Sequence, residues 1–198
     1  NLFKIRISVY FMEINMGLEL ARIHAHLCGD GSVFIYPTKA KDRNLTGGIE
    51  YSNKNQKLLD SFRKDFSKLF KVKMKMRKNI SVSIRSVTRA RDFLDTFGSF
   101  SSKEWKIHHS IKNSNSKIKL EWLKAFFEDE AYHEKRYNRL KTKSVNFEGL
   151  KEAQEMLSSI NINSSLTGPN CDNSYYLTIP QFDTIKEFKG FVKEPIRI

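Results

Sequence analysis

The stretch IHAHLCGDG, residues 23–31, ends a predicted helix of small and apolar side chains with an acid between two glycines. The helix begins near Gly17, and a predicted strand follows from Ser32. An acid at the carboxyl end of a helix opposes the helix dipole, so a purely structural role for Asp30 is disfavoured. Hard divalent cations prefer carboxylate, carbonyl and water oxygens. Asp30 is therefore a candidate metal ligand.

A second stretch of the same kind, LKAFFEDEA at residues 123–131, places Glu130 100 residues after Asp30. The same order of predicted elements follows each stretch: a strand hairpin, an amphipathic helix, two strands and a closing helix. Asn55 and Asn146 open equivalent helices and are 91 residues apart. The two separations differ because the first hairpin, with its tip at residues 37–45, is the longer one. The sequence therefore predicts an α+β fold made of two αββαββα repeats.

The predicted organisation has four parts: an N-terminal extension at residues 1–15, a first repeat at 16–98, a linker at 99–117 and a second repeat at 118–198. The first repeat is predicted to contain a helix at 17–28, strands at 32–36 and 48–52, a helix at 55–70, strands at 71–77 and 80–85, and a helix at 88–97. The second is predicted to contain a helix at 120–127, strands at 132–137 and 139–144, a helix at 146–160, strands at 161–166 and 174–179, and a helix at 182–191.

The charge balance favours a polyanionic partner. Lys and Arg number 35 against 22 acids, which gives a formal charge of +13 and a pI near 9.7. Nucleic acid, ribosomal RNA and an anionic membrane surface would each fit this excess. No stretch is long and apolar enough to cross a bilayer. Cys28 and Cys171 lie in dissimilar surroundings, which favours a reducing compartment inside the cell: the cytoplasm or nucleoid of a prokaryote, or an organelle.

Both acidic stretches resemble the nine-residue signature of the LAGLIDADG homing endonucleases. The elements after each stretch follow the family's order, so the resemblance covers nearly the whole chain from about Met16. Leu20-Ala21 precedes the first copy, as in many archaeal members. The resemblance implies two signature helices packed side by side and two curved antiparallel sheets that form a DNA-binding saddle. Ala25, Gly29 and Ala125 are the small residues that would let the helices approach each other.

The resemblance also implies an activity. The chain is expected to be a site-specific endonuclease that hydrolyses both strands of duplex DNA across the minor groove and leaves 3′ overhangs. Asp30 and Glu130 are expected to hold Mg²⁺, with Mn²⁺ or Ca²⁺ as substitutes in binding, and Gly29 and Asp129 to complete the ligand set. Lys54 matches a lysine that archaeal relatives place near the metals, where a cation can offset phosphate charge. Lys54 is therefore the third catalytic candidate.

Basic residues on predicted strands indicate where DNA would bind. Period-two alternation at residues 71–77 puts all four cations of that stretch on one face of the strand. The predicted DNA-binding residues are Tyr36, Lys39, Lys41, Arg43, Asn44, Glu50, Ser52, Lys71, Lys73, Lys75, Arg77, Arg85, Lys135, Arg136, Tyr137, Arg139, Lys141 and Lys143. Thr46, Asn138 and Thr142 are added as candidates for base-edge contacts. Because the two repeats differ, the expected complex is a monomer on a long asymmetric duplex.

Three alternatives stay open at this point. A maturase of the same family would bind intron RNA and assist splicing, and it can keep both acids. A degenerate member would bind DNA without cutting it, although the presence of both Asp30 and Glu130 argues against that. The gene could be intron-encoded, intein-derived or free-standing. A zinc site is disfavoured, because His24 with Cys28, the pair His108-His109, and Cys171 match no zinc-binding spacing.

Overall fold

The computed structural model describes residues 4–7, 12–38, 45–181 and 185–188 of the chain. The α-helices are α1 (Leu18–Cys28), α2 (Gln56–Phe70), α3 (Val87–Phe97), α4 (His109–Lys112), α5 (Ser116–Glu130) and α6 (Phe147–Ser158). The strands are β1 (Lys4–Ile7), β2 (Met12–Asn15), β3 (Gly31–Pro37), β4 (Leu45–Ser52), β5 (Lys75–Arg77), β6 (Ser81–Arg85), β7 (Ala131–Glu134), β8 (Arg139–Ser144), β9 (Ser165–Thr167) and β10 (Tyr175–Pro180). Short 3-10 helices lie at Lys135–Tyr137 and Lys186–Phe188.

Two four-stranded antiparallel sheets have the same strand order. The spatial order is β3-β4-β6-β5 in one sheet and β7-β8-β10-β9 in the other. In both sheets the fourth strand of the chain order therefore lies between the second and the third. A signature helix precedes each sheet in the chain. An amphipathic helix connects the second and third strands in chain order: α2 joins β4 to β5, and α6 joins β8 to β9. The prediction of a twofold repeated α+β fold is confirmed.

Equivalent asparagines begin the amphipathic helix of each repeat. The Asn55 side chain accepts a hydrogen bond from the backbone N–H of Lys57 (3.0 Å) and starts α2. The Asn146 side chain accepts one from the N–H of Gly149 (3.0 Å) and starts α6. Side-chain acceptors at this position satisfy N–H groups that have no partner within the helix. The repeated Asn therefore fixes the junction between hairpin and helix at the same place in both halves.

Some element boundaries differ from the sequence prediction. Lys71 adopts a left-handed conformation (φ 54°) that caps α2, so the strand predicted at 71–77 begins only at Lys75. The strand predicted at 132–137 ends at Glu134, where a 3-10 turn starts. The strand predicted at 161–166 begins at Ser165. The hairpin of β1 and β2, and helix α4, were not predicted.

The two signature helices lie in close contact at Gly29. A Cβ atom built on Gly29 would lie 2.8 Å from the Cβ atom of Asp129, which is closer than side-chain atoms approach. Buried residues of α1 and α5, among them Ile23 and Ala25 on one helix and Ala125 on the other, belong to one hydrophobic core that continues into both repeats. The repeats are therefore halves of a single packed unit.

Arg22 on α1 joins the two repeats through an ion network. Its Nε and Nη2 atoms donate to the two carboxylate oxygens of Asp65 on α2, at 2.6 and 3.0 Å. Its Nη1 atom donates to Glu121 on α5, at 2.6 Å. The hydrogen bond with Asp65, followed by that with Glu121, raises the pKa of Arg22 above its ordinary value despite the opposing effect of burial.

Replacing Arg22 with Met is expected to lower the free energy of unfolding by about 2–4 kcal/mol, because the buried Asp65 carboxylate would lose its paired cation. The Asp65 side chain is only 8% exposed. The matched control is Arg63→Met, since Arg63 pairs with Asp60 on the surface and exposed pairs contribute about 1 kcal/mol or less. Urea unfolding of both variants measures the difference. Equal losses for the two would contradict the bridging role of Arg22.

None of the helices in the described ranges combines the length and the apolar character that a membrane crossing requires.

Candidate metal centre and nucleic-acid interface

The two candidate acids lie at the same end of the paired signature helices. Asp30 follows α1, is exposed, and its backbone carbonyl accepts from the N–H of Ser52 (3.1 Å). Glu130 is the last residue of α5 and is half-buried. The close approach of Gly29 to Asp129 brings these two helix ends together. Each acid therefore lies where its helix gives way to the first strand of its sheet.

A buried network connects Asp30 to the second repeat. The Asn53 side-chain amide donates to Asp30 Oδ2 (2.9 Å) and to Asp129 Oδ1 (3.2 Å). Tyr51 Oη donates to Asp129 Oδ1 (2.7 Å), and His26 Nδ1 lies 2.8 Å from Asp129 Oδ2. Since an ionised carboxylate only accepts, this geometry places a hydrogen on His26 Nδ1.

Burial explains why Asp129 needs these donors. Its side chain is 0% exposed and that of His26 is 2% exposed. A carboxylate in such surroundings is tolerated only when it is paired and hydrogen-bonded. Burial, followed by the neighbouring Asp129 charge, raises the pKa of Tyr51 well above its usual value, so Tyr51 keeps its proton and donates it. Asp129 thus binds side chains of the first repeat, and this is a role that the sequence did not reveal.

The Glu130 side of the centre is an open cleft of about 360 Å³. Glu130, Gly29 and Lys143 line it, together with Ser144, Trp105 and Asp172. Lys143 Nζ donates to Asp172 at 2.6 Å, and this bond lowers the pKa of Asp172 below its usual range. Lys54, the lysine predicted to be catalytic, is exposed beside Asn53. The lysine that shares a cleft with a candidate acid is Lys143.

The donor atoms at the two helix ends fit a hard divalent cation. Asp30 and Glu130 supply carboxylate oxygens, and the adjoining helix ends supply main-chain carbonyls, which is the ligand chemistry of Mg²⁺ and Ca²⁺. Gly29 and Asp129, the other two predicted ligands, lie against each other, and the Asp129 carboxylate already accepts from His26, Tyr51 and Asn53. Within the described ranges, no group of three or more His, Cys, Asp or Glu side chains is arranged to hold a metal.

His24 and Cys28 contact each other in the core, with Cys28 Sγ 3.5 Å from His24 Nδ1. Trp122 Nε1 donates to the same His24 nitrogen at 3.0 Å. Burial, helped by His108, lowers the pKa of His24 to about 3. His24 is therefore a neutral core side chain that joins the two signature helices.

The exposed face of the first sheet gathers the predicted DNA-binding residues. The register pairs Glu50 with Ser32 and Ser83, and Ser83 with Lys75, so these side chains form one row across the sheet. The predicted residues on this face are Tyr36, Glu50, Ser52, Lys75, Arg77 and Arg85. Ile49, Tyr51 and Val82 point to the opposite, buried face. The sheet therefore has one apolar side against the helices and one polar, basic side toward solvent.

The second sheet presents a similar basic face. Its register places Arg139, Lys141 and Lys143 on the side opposite buried Leu140. Arg139 and Arg136 lie over the ring of Tyr137, at 4.6 and 5.3 Å from its centroid. Lys135 belongs to the same turn. The turn therefore presents an exposed aromatic ring flanked by cations, a combination suited to nucleic acid.

Several residues that were predicted to contact DNA are not found among the described residues on the exposed faces of the two sheets. Lys39, Lys41, Arg43 and Asn44 lie outside the described residues. Lys71 and Lys73 are exposed, but they precede β5 and do not extend its face. The prediction for Thr142 is wrong, because its side chain lies on the buried face of β8 and is 1% exposed.

Sequence reasoning missed one aromatic residue on each exposed face, Phe34 on the first sheet and Tyr176 on the second. Phe34 stacks on Tyr36 (5.5 Å between ring centroids) and lies under the guanidinium of Arg85 (4.8 Å). The ring of Tyr176 lies under Lys141 Nζ at 4.5 Å. The period-two alternation of strands β3 and β10 carries the signal for both residues, because Phe34 and Tyr176 alternate with side chains that face the core.

No protein-family model and no curated protein matches the chain. Among solved structures, mesophilic variants of the homing endonuclease I-DmoI superpose with a TM-score of 0.64 at 16% identity, covering 89% of both chains. I-DmoI in complex with DNA and Mn superposes with a TM-score of 0.61 at 16% identity, covering 89% of this chain and 99% of that one. The N-terminal LAGLIDADG domain of DUF199/WhiA gives 0.51 at 12% identity, covering 88% and 80%.

These similarities extend over both repeats, since each covers more than four fifths of the chain. They agree with the paired signature helices and with the shared strand order of the two sheets. The chain therefore has the LAGLIDADG homing endonuclease fold.

Proposed function

We propose that the chain is a site-specific endonuclease that hydrolyses both strands of a long asymmetric DNA target, depends on Mg²⁺ and leaves 3′ overhangs. The observation that carries this proposal is the position of Asp30 and Glu130 at adjoining ends of packed helices, with a basic sheet face on each side. I-DmoI, which has the same fold, binds DNA together with Mn or Ca.

The positions of these residues support a role for each of them. Asp30 and Glu130 would each hold a divalent cation, which supplies Lewis-acid stabilisation of charge on the phosphodiester oxygens. Lys143, in the Glu130 cleft, would place a second cation near a scissile phosphate. Lys54 stays a predicted catalytic residue. The two sheet faces would bind the backbone mainly through phosphates and set the register of the target.

A monomer fits an asymmetric target, because the two faces differ in sequence. The first face carries Phe34, Glu50 and Arg85, whereas the second carries Tyr176 and Lys141. Two sheet faces of different sequence in one chain would bind two different half-sites of the DNA target. The intron-encoded and archaeal origin stays a prediction.

The experiment is selection from a randomised duplex DNA library cut in the presence of Mg²⁺, with sequencing of both ends of each product. Recovery of one long asymmetric site, cut on both strands with 3′ overhangs, is the expected result. If no duplex is cut and the protein binds structured intron RNA without Mg²⁺, the endonuclease proposal fails and the maturase alternative replaces it.

A further inference from the structure

The residues that surround Asp30 in the candidate centre differ from those that surround Glu130. Residues 100 apart occupy matching places on the signature helices, so Asp129 matches Gly29. Residues 91 apart match around the second strands, so Tyr51 matches Thr142 and Asn53 matches Ser144. The surroundings of Asp30 thus include the Asp129 carboxylate with donors from Tyr51 and Asn53, whereas the matching positions around Glu130 are a glycine, a threonine and a serine.

Two observations show the consequence of this difference. The Thr142 hydroxyl, 1% exposed, has no hydrogen-bond partner among the described residues, whereas its counterpart Tyr51 donates to Asp129. Gly29 lines the cleft beside Glu130 and has no side chain that could accept a hydrogen bond. The Thr142 hydroxyl therefore lacks the carboxylate acceptor that its counterpart Tyr51 has.

The Asn53 side chain connects Asp129 to Asp30 through hydrogen bonds. Its Oδ1 atom accepts from the backbone N–H of Asn55 (2.8 Å), which fixes the orientation of the amide. Its Nδ2 group then donates one hydrogen to Asp30 Oδ2 (2.9 Å) and the other to Asp129 Oδ1 (3.2 Å). An amide nitrogen carries two hydrogens, so both bonds form at once. Ser144 makes the same turn, accepting from the N–H of Asn146 (3.1 Å), but it has no amide group.

Asp129 is itself held firmly. Tyr51 and His26 occupy its other acceptor positions, and its side chain is excluded from solvent. Moving a buried carboxylate away from such donors would leave buried polar groups without partners, which is unfavourable. The Asp129 carboxylate is therefore a fixed point against which Asn53 can hold Asp30.

We propose that Asp129 and Asn53 are positioning residues that fix the Asp30 carboxylate in its metal-binding orientation. This inference rests on the proposed function. It assigns Asp129 to the support of the centre and not to the ligand set. Partners that orient a ligand typically change metal affinity or activity by about 10- to 100-fold when they are removed.

The test uses Asn53→Ser, which keeps the turn to Asn55 and removes the amide donor, and Asp129→Asn, which removes the buried charge at nearly constant shape. Asp95→Asn, at an exposed position of α3, is the matched control for loss of an acid. Two quantities are measured: the Mn²⁺ affinity of the protein bound to its recovered duplex, by electron paramagnetic resonance, and the cleavage rate of each strand, with both strands labelled. The thermal unfolding midpoint of each variant reports whether it is folded.

Asn53→Ser is expected to weaken one Mn²⁺ site by about 10- to 100-fold and to slow one strand by a similar factor, while the other strand changes by less than about threefold. Asp129→Asn is expected to act on the same site and the same strand, and Asp95→Asn on neither. Equal slowing of both strands, or an unchanged Mn²⁺ affinity in a folded Asn53→Ser protein, overturns the inference. If the wild type cuts no duplex, the proposed function fails, and Mn²⁺ titration of the protein alone still decides whether Asn53 supports a metal ligand.

Discussion

Replacing Asp30 with Asn, or Glu130 with Gln, is expected to lower the rate of double-strand cleavage by at least about 10³-fold. Each change removes an anionic oxygen ligand and nearly preserves side-chain shape. A bound metal contributes several kcal/mol to the stabilisation of phosphoryl charge, and each 1.36 kcal/mol corresponds to about a tenfold change in rate. Cleavage of the recovered target at saturating Mg²⁺ measures the effect, with single-turnover conditions separating chemistry from product release.

Binding to the same duplex in Ca²⁺ is the control for these two variants. Asp30 is exposed and Glu130 half-buried, so we expect both variants to fold and to bind DNA at least as tightly as the wild type. Removing a negative charge close to phosphates favours binding. Wild-type cleavage by the Asp30→Asn protein would show that this carboxylate holds no metal and would place the centre elsewhere in the molecule.

Raising the salt concentration from about 50 to 200 mM is expected to weaken binding of the target by about 10⁴-fold. The exposed sheet faces and the adjoining turn carry eight of the predicted cations: Lys75, Arg77, Arg85, Lys135, Arg136, Arg139, Lys141 and Lys143. Each phosphate that a cation neutralises adds about 0.9 to the slope of log affinity against log salt. A Kd series at constant Mg²⁺ or Ca²⁺ measures the slope.

Single substitutions test which cations produce the slope of log affinity against log salt. Lys141→Met is expected to reduce the slope by about one, because Lys141 lies on the exposed face of β8 over Tyr176. Lys68→Met is the matched control, since Lys68 on α2 pairs with Glu19 on the helical side of the molecule. An equal reduction in both variants would mean that DNA is not bound by the sheet faces.

The repeat and the positions of the acids could be predicted because they depend on local patterns. The alternating and helical periods of each half are independent of the other half, and the matching Asn55 and Asn146 mark the same helix start twice. The buried side of β4, with Ile49 and Tyr51, follows from the same alternation. Patterns of this kind establish which residues share a face, and they established the fold.

Contacts between the repeats could not be predicted in this way. Asp129 follows Glu128 and precedes Glu130, so the sequence shows only three consecutive acids. Its buried role depends on His26 and Tyr51, which come from other elements of the opposite repeat. The error on Thr142 is of another kind, because the alternation that exposes Lys141 and Lys143 on β8 already places Thr142 on the buried face.

The shared acceptor at Asp129 limits how this protein can be recombined with its structural relatives. A chimera that joins the first repeat to a second repeat with alanine at this position would leave His26, Tyr51 and Asn53 without their common acceptor. The reverse chimera would bury Asp129 without a partner wherever the other first repeat lacks donors at the positions of His26, Tyr51 and Asn53. Exchange of target preference is therefore better attempted by grafting the solvent-facing residues of one sheet, with the junction between the signature helices kept intact.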